Sequence, residues 1–150
     1  MFFYKKKKSL KGSPELSMSK LDNKLWGIFS KYIRIRDAND NGIVICCTCG
    51  TPAYWNQGID AGHFIQRNRL HTKYDEHNVW GQCARCNRFD SGRQFVMGQH
   101  IDKKCGPGTA AGLLLKSQMR GKLGRMWYEM MIVEYREKLK KLAKEKGIEI

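Results

Sequence analysis

Two Cys-x-x-Cys pairs, Cys46 with Cys49 and Cys83 with Cys86, bracket a segment reading Asp60-Ala61-Gly62-His63-Phe64, and Asn87 follows the last cysteine directly. Four thiolates at this spacing can close a tetrahedral shell around one zinc ion and leave no position open for chemistry, so the ion's expected role is structural. Cys46 and Cys47 are adjacent, and either could pair with Cys49. Cys46 is preferred because the CxxC spacing lets the intervening amides turn toward both sulfurs, leaving Cys47 as a small buried residue. The reactive groups are then sought between and beside the pairs.

His63 is the strongest candidate. An imidazole with an ordinary pKa of about 6.5, held near a phosphodiester, can take a proton from water at neutral pH. A magnesium or manganese ion would supply electrostatic stabilisation of the phosphorane and leaving oxygens. That ion needs hard donors the zinc does not consume, and the Asn87 side-chain carbonyl and the Asp60 carboxylate are the candidates. On a regular strand, positions 60 and 63 face opposite sides, so Asp60 is expected to reach the same ion only through a bulge at Gly62. Asn78, in Glu76-His77-Asn78-Val79, is expected to hydrogen-bond the loop that carries His63. Read blandly, a lone histidine in a strand is structural and Asn87 is a helix cap; the setting between two CxxC pairs favours the catalytic reading. His71, His77 and His100 lack such neighbours and read as surface residues, with a weak phosphate contact open to His71.

The elements that position these groups follow from periodicity and turn chemistry. At 150 residues the chain suits one domain. Residues 1–14, basic and containing Gly12 and Pro14, read as a flexible arm, and residues 15–150 as the domain. Ser19-Lys20-Leu21-Asp22 resembles a capping box, and Leu21, Leu25, Ile28, Phe29, Tyr32 and Ile33 recur at helical spacing, predicting a helix over 16–36. A short strand over 43–45 leads into the first cysteines. Tyr54-Trp55 and residues 59–65 suggest a β-hairpin around Asn56-Gln57-Gly58. Ser91-Gly92-Arg93-Gln94 suggests a second capping box for a helix with Phe95, Val96 and Ile101 as its apolar face, ended by Cys105-Gly106-Pro107-Gly108. A last helix is expected over about 122–146, with Leu123, Trp127, Met130, Met131, Tyr135, Leu139 and Leu142 on one side and Gly147 as its stop. The expected class is α+β: a small zinc-bound core over 43–104 flanked by N- and C-terminal helices.

The charge narrows the partner. Lys and Arg number 28 against 14 Asp and Glu, a formal net charge of +14. With no strongly apolar amphipathic or spanning segment beside it, this excess points to nucleic acid rather than a membrane. Arg67, Arg69, Lys73, Arg85, Arg88 and Arg93 flank the proposed centre and are the expected phosphate contacts. Neutralising Z phosphates gives a salt slope of about −0.9Z on duplex DNA. The start of the chain does not read as a signal peptide, so the expected location is the cytoplasm, where six cysteines serve as ligands or free thiols rather than disulfides.

A histidine-bearing hairpin followed by a helix that begins at a zinc knuckle resembles the ββα-metal (HNH) nucleases. The runs Phe29-Ser30-Lys31-Tyr32-Ile33-Arg34-Ile35-Arg36-Asp37, 46–50, 60–65, Asn78-Val79, 82–87 and Ser91-Gly92 resemble the phage lambda NinG (Rap) recombination family over about residues 16–146. The zinc-plus-Asn layout is also similar to phage recombination endonuclease VII. The resemblance implies a structure-specific DNA endonuclease acting on Holliday junctions and D-loops, in a phage-infected host cytoplasm, fed by a recombinase partner. Two nicks at a four-way junction would suit a homodimer, and the Met130-Met131 stripe is the candidate contact. Gly62 stands where HNH nucleases commonly carry Asp or His, and Arg93 stands where the family often has Asn, suggesting a phosphate contact there.

Two other classes compete. A zinc-stabilised DNA-binding module without catalysis shares the cysteines and the basic surface, and His63 discriminates the two. A zinc-dependent base deaminase needs His-x-Glu before Pro-Cys-x-x-Cys; Ile65 and Gln82 occupy the Glu and Pro positions, which argues against it.

Overall fold

The first helix, α1 (Met18–Asp37), begins where the Ser17 hydroxyl accepts the Lys20 amide. The cap is therefore two residues ahead of the box expected at Ser19. The computed structural model describes residues 15–150, and the basic arm expected over 1–14 lies outside the described residues. Leu21, Leu25, Phe29 and Ile33 form one buried stripe along α1. They meet Tyr128, Ile132 and Tyr135 of the last helix, α5 (Arg125–Lys146), in the largest apolar cluster. Burying side chains of this size stabilises by about 1.5–3 kcal/mol each, so the α1–α5 pair is the platform on which the rest is mounted.

The far end of α1 is tied down by polar groups. Lys146 of α5 donates to the carbonyls of Ile35 and Arg36, at 2.9 Å each, and of Ala38, satisfying groups that a helix end leaves without partners. Arg36 donates to the carbonyls of Glu76 and Val79, and the Asp37 carboxylate accepts the Gly81 amide at 2.7 Å. Glu76 in turn accepts from Tyr32, Tyr135 and Lys138. These bonds clamp the chain around 76–81 against both long helices.

Among the described residues, four short strands form two separate antiparallel ribbons. β1 (Ile43–Ile45) pairs with β2 (Pro52–Tyr54), Ile43 opposite Tyr54, and folds the first cysteines into the connecting loop. β3 (Ile59–His63) pairs with β4 (Val79–Cys83), from Ile59 opposite Cys83 to His63 opposite Val79. This corrects the expected hairpin around residues 56–58. The turn exists, but it passes from one ribbon to the other, because Tyr54 finds its partner upstream and β3 finds its partner twenty residues downstream. The long connection between β3 and β4 contains the short helix α2 (Leu70–Lys73).

After β4 the chain makes a π-helical turn, Arg85–Phe89, and reverses through Ser91, Gly92 and Arg93, which all have positive φ. Helix α3 (Gln94–Cys105) follows with no side-chain cap, so the expected capping box does not form. Its buried face is Met97, Gly98 and Ile101, whereas Phe95 is 80% exposed. A further helix that periodicity did not suggest, α4 (Thr109–Ser117), packs Ala110 and Leu113 on that face. On α5 the buried stripe is Tyr128, Ile132, Tyr135, Leu139 and Ala143; Met130, expected in it, faces outward. Gly147 ends the helix in the left-handed region, φ 64, as expected. No helix among the described residues is long and apolar enough to cross a membrane.

Candidate metal centre and cleft

The β1–β2 turn and the end of β4 bring the sulfurs of Cys46, Cys49, Cys83 and Cys86 within 4.8 Å of one another. Zinc–thiolate bonds of about 2.3 Å place the corners of a tetrahedron roughly 3.8 Å apart, and Cys49 Sγ lies 3.7 Å from Cys83 Sγ. The four residues therefore fit a closed zinc site. The Cys83 amide donates to Cys46 Sγ at 3.3 Å and the Thr48 hydroxyl lies 3.4 Å from it. Burial raises the Cys46 pKa, but these bonds outweigh it and bring the thiol down to about 6, favouring the thiolate a metal needs. Cys47 is not among the converging sulfurs and packs beside the apolar cluster of Met97 and Ile101, where burial and the neighbouring Cys46 and Asp37 charges push its thiol far up. The choice of Cys46 over Cys47 thus agrees with the geometry.

His63 lies at the opposite end of the β3–β4 ribbon and borders a cleft of about 730 Å³ together with Asp60, Asn87, Arg67 and Arg88. Its Nε2 is 2.9 Å from the Lys73 carbonyl. Because a carbonyl only accepts, Nε2 carries the proton and Nδ1 keeps the basic lone pair. The ring stacks on Trp26 of α1, centroids 5.0 Å apart, and the Arg67 guanidinium covers the same indole at 4.3 Å. Burial is the main cause that lowers the His63 pKa to about 4, aided by the positive charges of Arg67 and Lys73 and opposed by the bond to the Lys73 carbonyl. The sequence suggested a group titrating near neutrality; packing against α1 makes it a neutral imidazole at pH 7 instead.

Asn78 is fully buried and acts on the loop. Its Oδ1 accepts the Ile65 amide at 2.7 Å, and its Nδ2 donates to the carbonyls of Ile65 and Thr72. This fixes the segment carrying the Lys73 carbonyl beside the strand carrying His63, and the bonds to the loop after His63 are those its sequence context suggested.

Asp60 and Asn87 do meet. Asn87 Nδ2 donates to Asp60 Oδ2 at 2.9 Å, and Arg88 makes a two-pronged contact with the same carboxylate at 2.8 and 2.7 Å. Partial burial would raise the Asp60 pKa, but the bonds from Arg88 and Asn87 and the charges of Arg88 and Arg34 hold it below the usual carboxylate range. The expected bulge at Gly62 is absent: β3 and β4 pair one-to-one throughout. Asp60 and His63 border one cleft without it, and two-stranded ribbons have the strong twist that permits this. Gly62 has another purpose. A Cβ there would lie 2.4 Å from Gln82 Oε1 and 3.3 Å from Asn87 Oδ1, so a side chain before His63 would have to displace the buried Gln82 side chain and press on Asn87.

The expected phosphate contacts divide among several places. Arg67 and Arg88 line the cleft. Arg85 and Arg93 instead border the cysteine cluster, Arg93 against Cys86. Arg69 opens onto a different depression. Lys73 is a correction: it is buried, with Nζ 2.7 Å from Asp22, and is not offered to a ligand. An alternating basic loop gives no sign of which side chain turns inward, and Asp22, some fifty residues upstream, decides it. Trp26, Arg34 and Asp22 were missed for the same reason, being α1 residues that the helical pattern treats as flank. The only sequence hint was the bulk of Trp26 next to the apolar stripe.

Two ribbons, flanking helices and four converging cysteines define a small mixed helix-and-sheet protein built around a candidate zinc centre. The chain belongs to the NinG family: the family model described as Bacteriophage Lambda NinG protein matches residues 4–145. No curated protein and no solved structure gives a match.

Proposed function

We propose that this chain is a divalent-metal-dependent, HNH-type endodeoxyribonuclease acting on branched recombination intermediates such as Holliday junctions and D-loops. The observation that carries the reading is His63, neutral and with Nδ1 as its basic atom, beside Asp60 and Asn87 in one open, positively flanked cleft. In this reading His63 Nδ1 takes the proton from the attacking water, and the Lys73 carbonyl stabilises the imidazolium through Nε2–H. Asn78 holds that carbonyl in place. Asp60 and the Asn87 carbonyl oxygen would hold magnesium or manganese, which supplies charge stabilisation at the phosphate when bound. Arg88 balances the Asp60 carboxylate and would turn to a phosphate once that carboxylate has another cation. The β3–β4 ribbon with the turn that follows it is, on this proposal, the ββα core resembling endonuclease VII. The protein would work in the host cytoplasm as a homodimer supplied by a recombinase, two active sites giving the paired nicks a junction needs.

The test is cleavage of a labelled four-way junction beside a linear duplex of the same sequence, with magnesium, manganese or EDTA. Metal-dependent nicks in the junction that fall by about 10²–10⁴ in His63→Ala, while DNA binding persists, support the enzyme. Cutting unchanged in His63→Ala removes the histidine from the mechanism. Binding with no cutting under either metal leaves a zinc-stabilised DNA-binding module. A monomeric mass with and without junction DNA overturns the dimer.

A further inference from the structure

The loop that carries Arg67 into the cleft turns its next residues into a second depression of about 340 Å³, bordered by Arg69, His71, Ser117, Met119, Arg120 and Gly121. Three features mark it as a place for an anion. Arg69 and Arg120 are both exposed, and among the described residues neither makes an ion pair, whereas the Arg88 guanidinium in the first cleft is engaged by Asp60. His71 Nε2 is buried and has no hydrogen-bond partner. That nitrogen lies beneath Gly121, where a Cβ would stand 3.8 Å from it. A buried polar atom without a partner is costly, and two unpaired guanidinium groups bordering the same depression are matched by the oxygens of a phosphate.

We infer that this second depression is a nucleic-acid phosphate site separate from the proposed catalytic cleft, in which Arg69 and Arg120 grip the backbone of a DNA arm above His71. Arg67 and Arg69, two residues apart, then serve opposite sides of one loop. A branched molecule can place one arm on each side, whereas a single duplex arm needs only one. The inference rests on the reading that the ligand is DNA, but not on whether the DNA is cut.

The experiment measures binding of the full chain to a four-way junction and to a linear duplex of the same sequence across a salt series. Arg69→Ala with Arg120→Ala should flatten the log K against log salt slope on the junction by about 1.8, two contacts at about 0.9 each, with a smaller change on the linear duplex. Arg136→Ala with Lys144→Ala removes the same charge from exposed positions on α5 that border neither depression, and should leave the slope near wild type. Equal flattening by both pairs, or none by the first, overturns the site. A second reading is the His71 Nε2 nitrogen resonance, which should move on adding junction to wild type and stay still in the double variant; no movement in wild type also overturns it. Wild-type protein that binds but never cuts, with the slope still flattened in the first pair, overturns the nuclease proposal and leaves this site standing.

Discussion

The two ends of the β3–β4 ribbon are built on opposite principles. At the Cys83 end, four sulfurs converge on one point and amide and hydroxyl groups turn toward them. Every ligand is used, which is what a structural ion requires. From the His63 end, an open cleft runs back along the ribbon to Asp60 and Asn87, and several of its side chains keep unused capacity: Nδ1 of His63, Oδ1 of Asn87, and the exposed Arg67. One end is closed around a candidate metal position; the other is left open. The ribbon transmits the order of the first to the second, since Cys83 and Val79 are the last and first residues of the same strand.

The contrast can be broken most forcefully at the closed end. Cys86→Ser should abolish zinc binding and unfold the cysteine region, because structural zinc contributes roughly 10–16 kcal/mol in small zinc-finger peptides; metal content and circular dichroism give the readout. Cys47→Ser should retain full zinc. Equal zinc loss in both would mean that the wrong cysteine has been assigned to the cluster.

At the open end the scaffold is more vulnerable than the side chains lining the cleft. Asn78→Ala strips partners from two backbone carbonyls and one amide, and each buried group left unsatisfied costs about 1–3 kcal/mol. Urea unfolding should show a destabilisation of about 3 kcal/mol with zinc still bound. A loss below roughly 0.5 kcal/mol would show that this loop is held by other contacts.

His63 should also leave a signature in the pH dependence of stability. The unfolded chain protonates it near pH 6.5, but the folded chain only near pH 4. Between those values the unfolded state binds the extra proton, so stability falls as pH drops from 6.5 toward 4. His63→Gln should reduce that slope in denaturant titrations at pH 7, 6 and 5, and an identical slope would mean that the imidazole is not desolvated.

The smallest effect separates an inward lysine from an outward arginine. Arg67→Ala should flatten the salt dependence of DNA binding by about 0.9, and Lys73→Met should leave it unchanged while lowering stability, since it removes the cation from Asp22 and leaves that carboxylate with the Tyr74 hydroxyl alone. A slope change in Lys73→Met equal to that in Arg67→Ala would return Lys73 to the binding surface.

The parts legible from sequence were those encoded at short range. The CxxC spacings identify the candidate zinc ligands because a metal shell requires nearby ligands at set intervals. The stripe from Leu21 to Ile33 announces its helix because apolar residues must share one face, and Gly147 announces its stop because the left-handed conformation there suits glycine. Asp60, His63, Asn78 and Asn87 could be picked out as polar groups set among those signals. Whether β3 pairs with the strand before it or the strand twenty residues later has no local signature, and neither does the inward turn of Lys73 toward Asp22. The tautomer and low pKa of His63 are likewise tertiary facts, made by a carbonyl ten residues away and an indole from α1. Spacing and composition determined which atoms were available; packing between distant segments decided which were buried, paired or left free, because burial and partnership depend on neighbours that only the folded chain brings together.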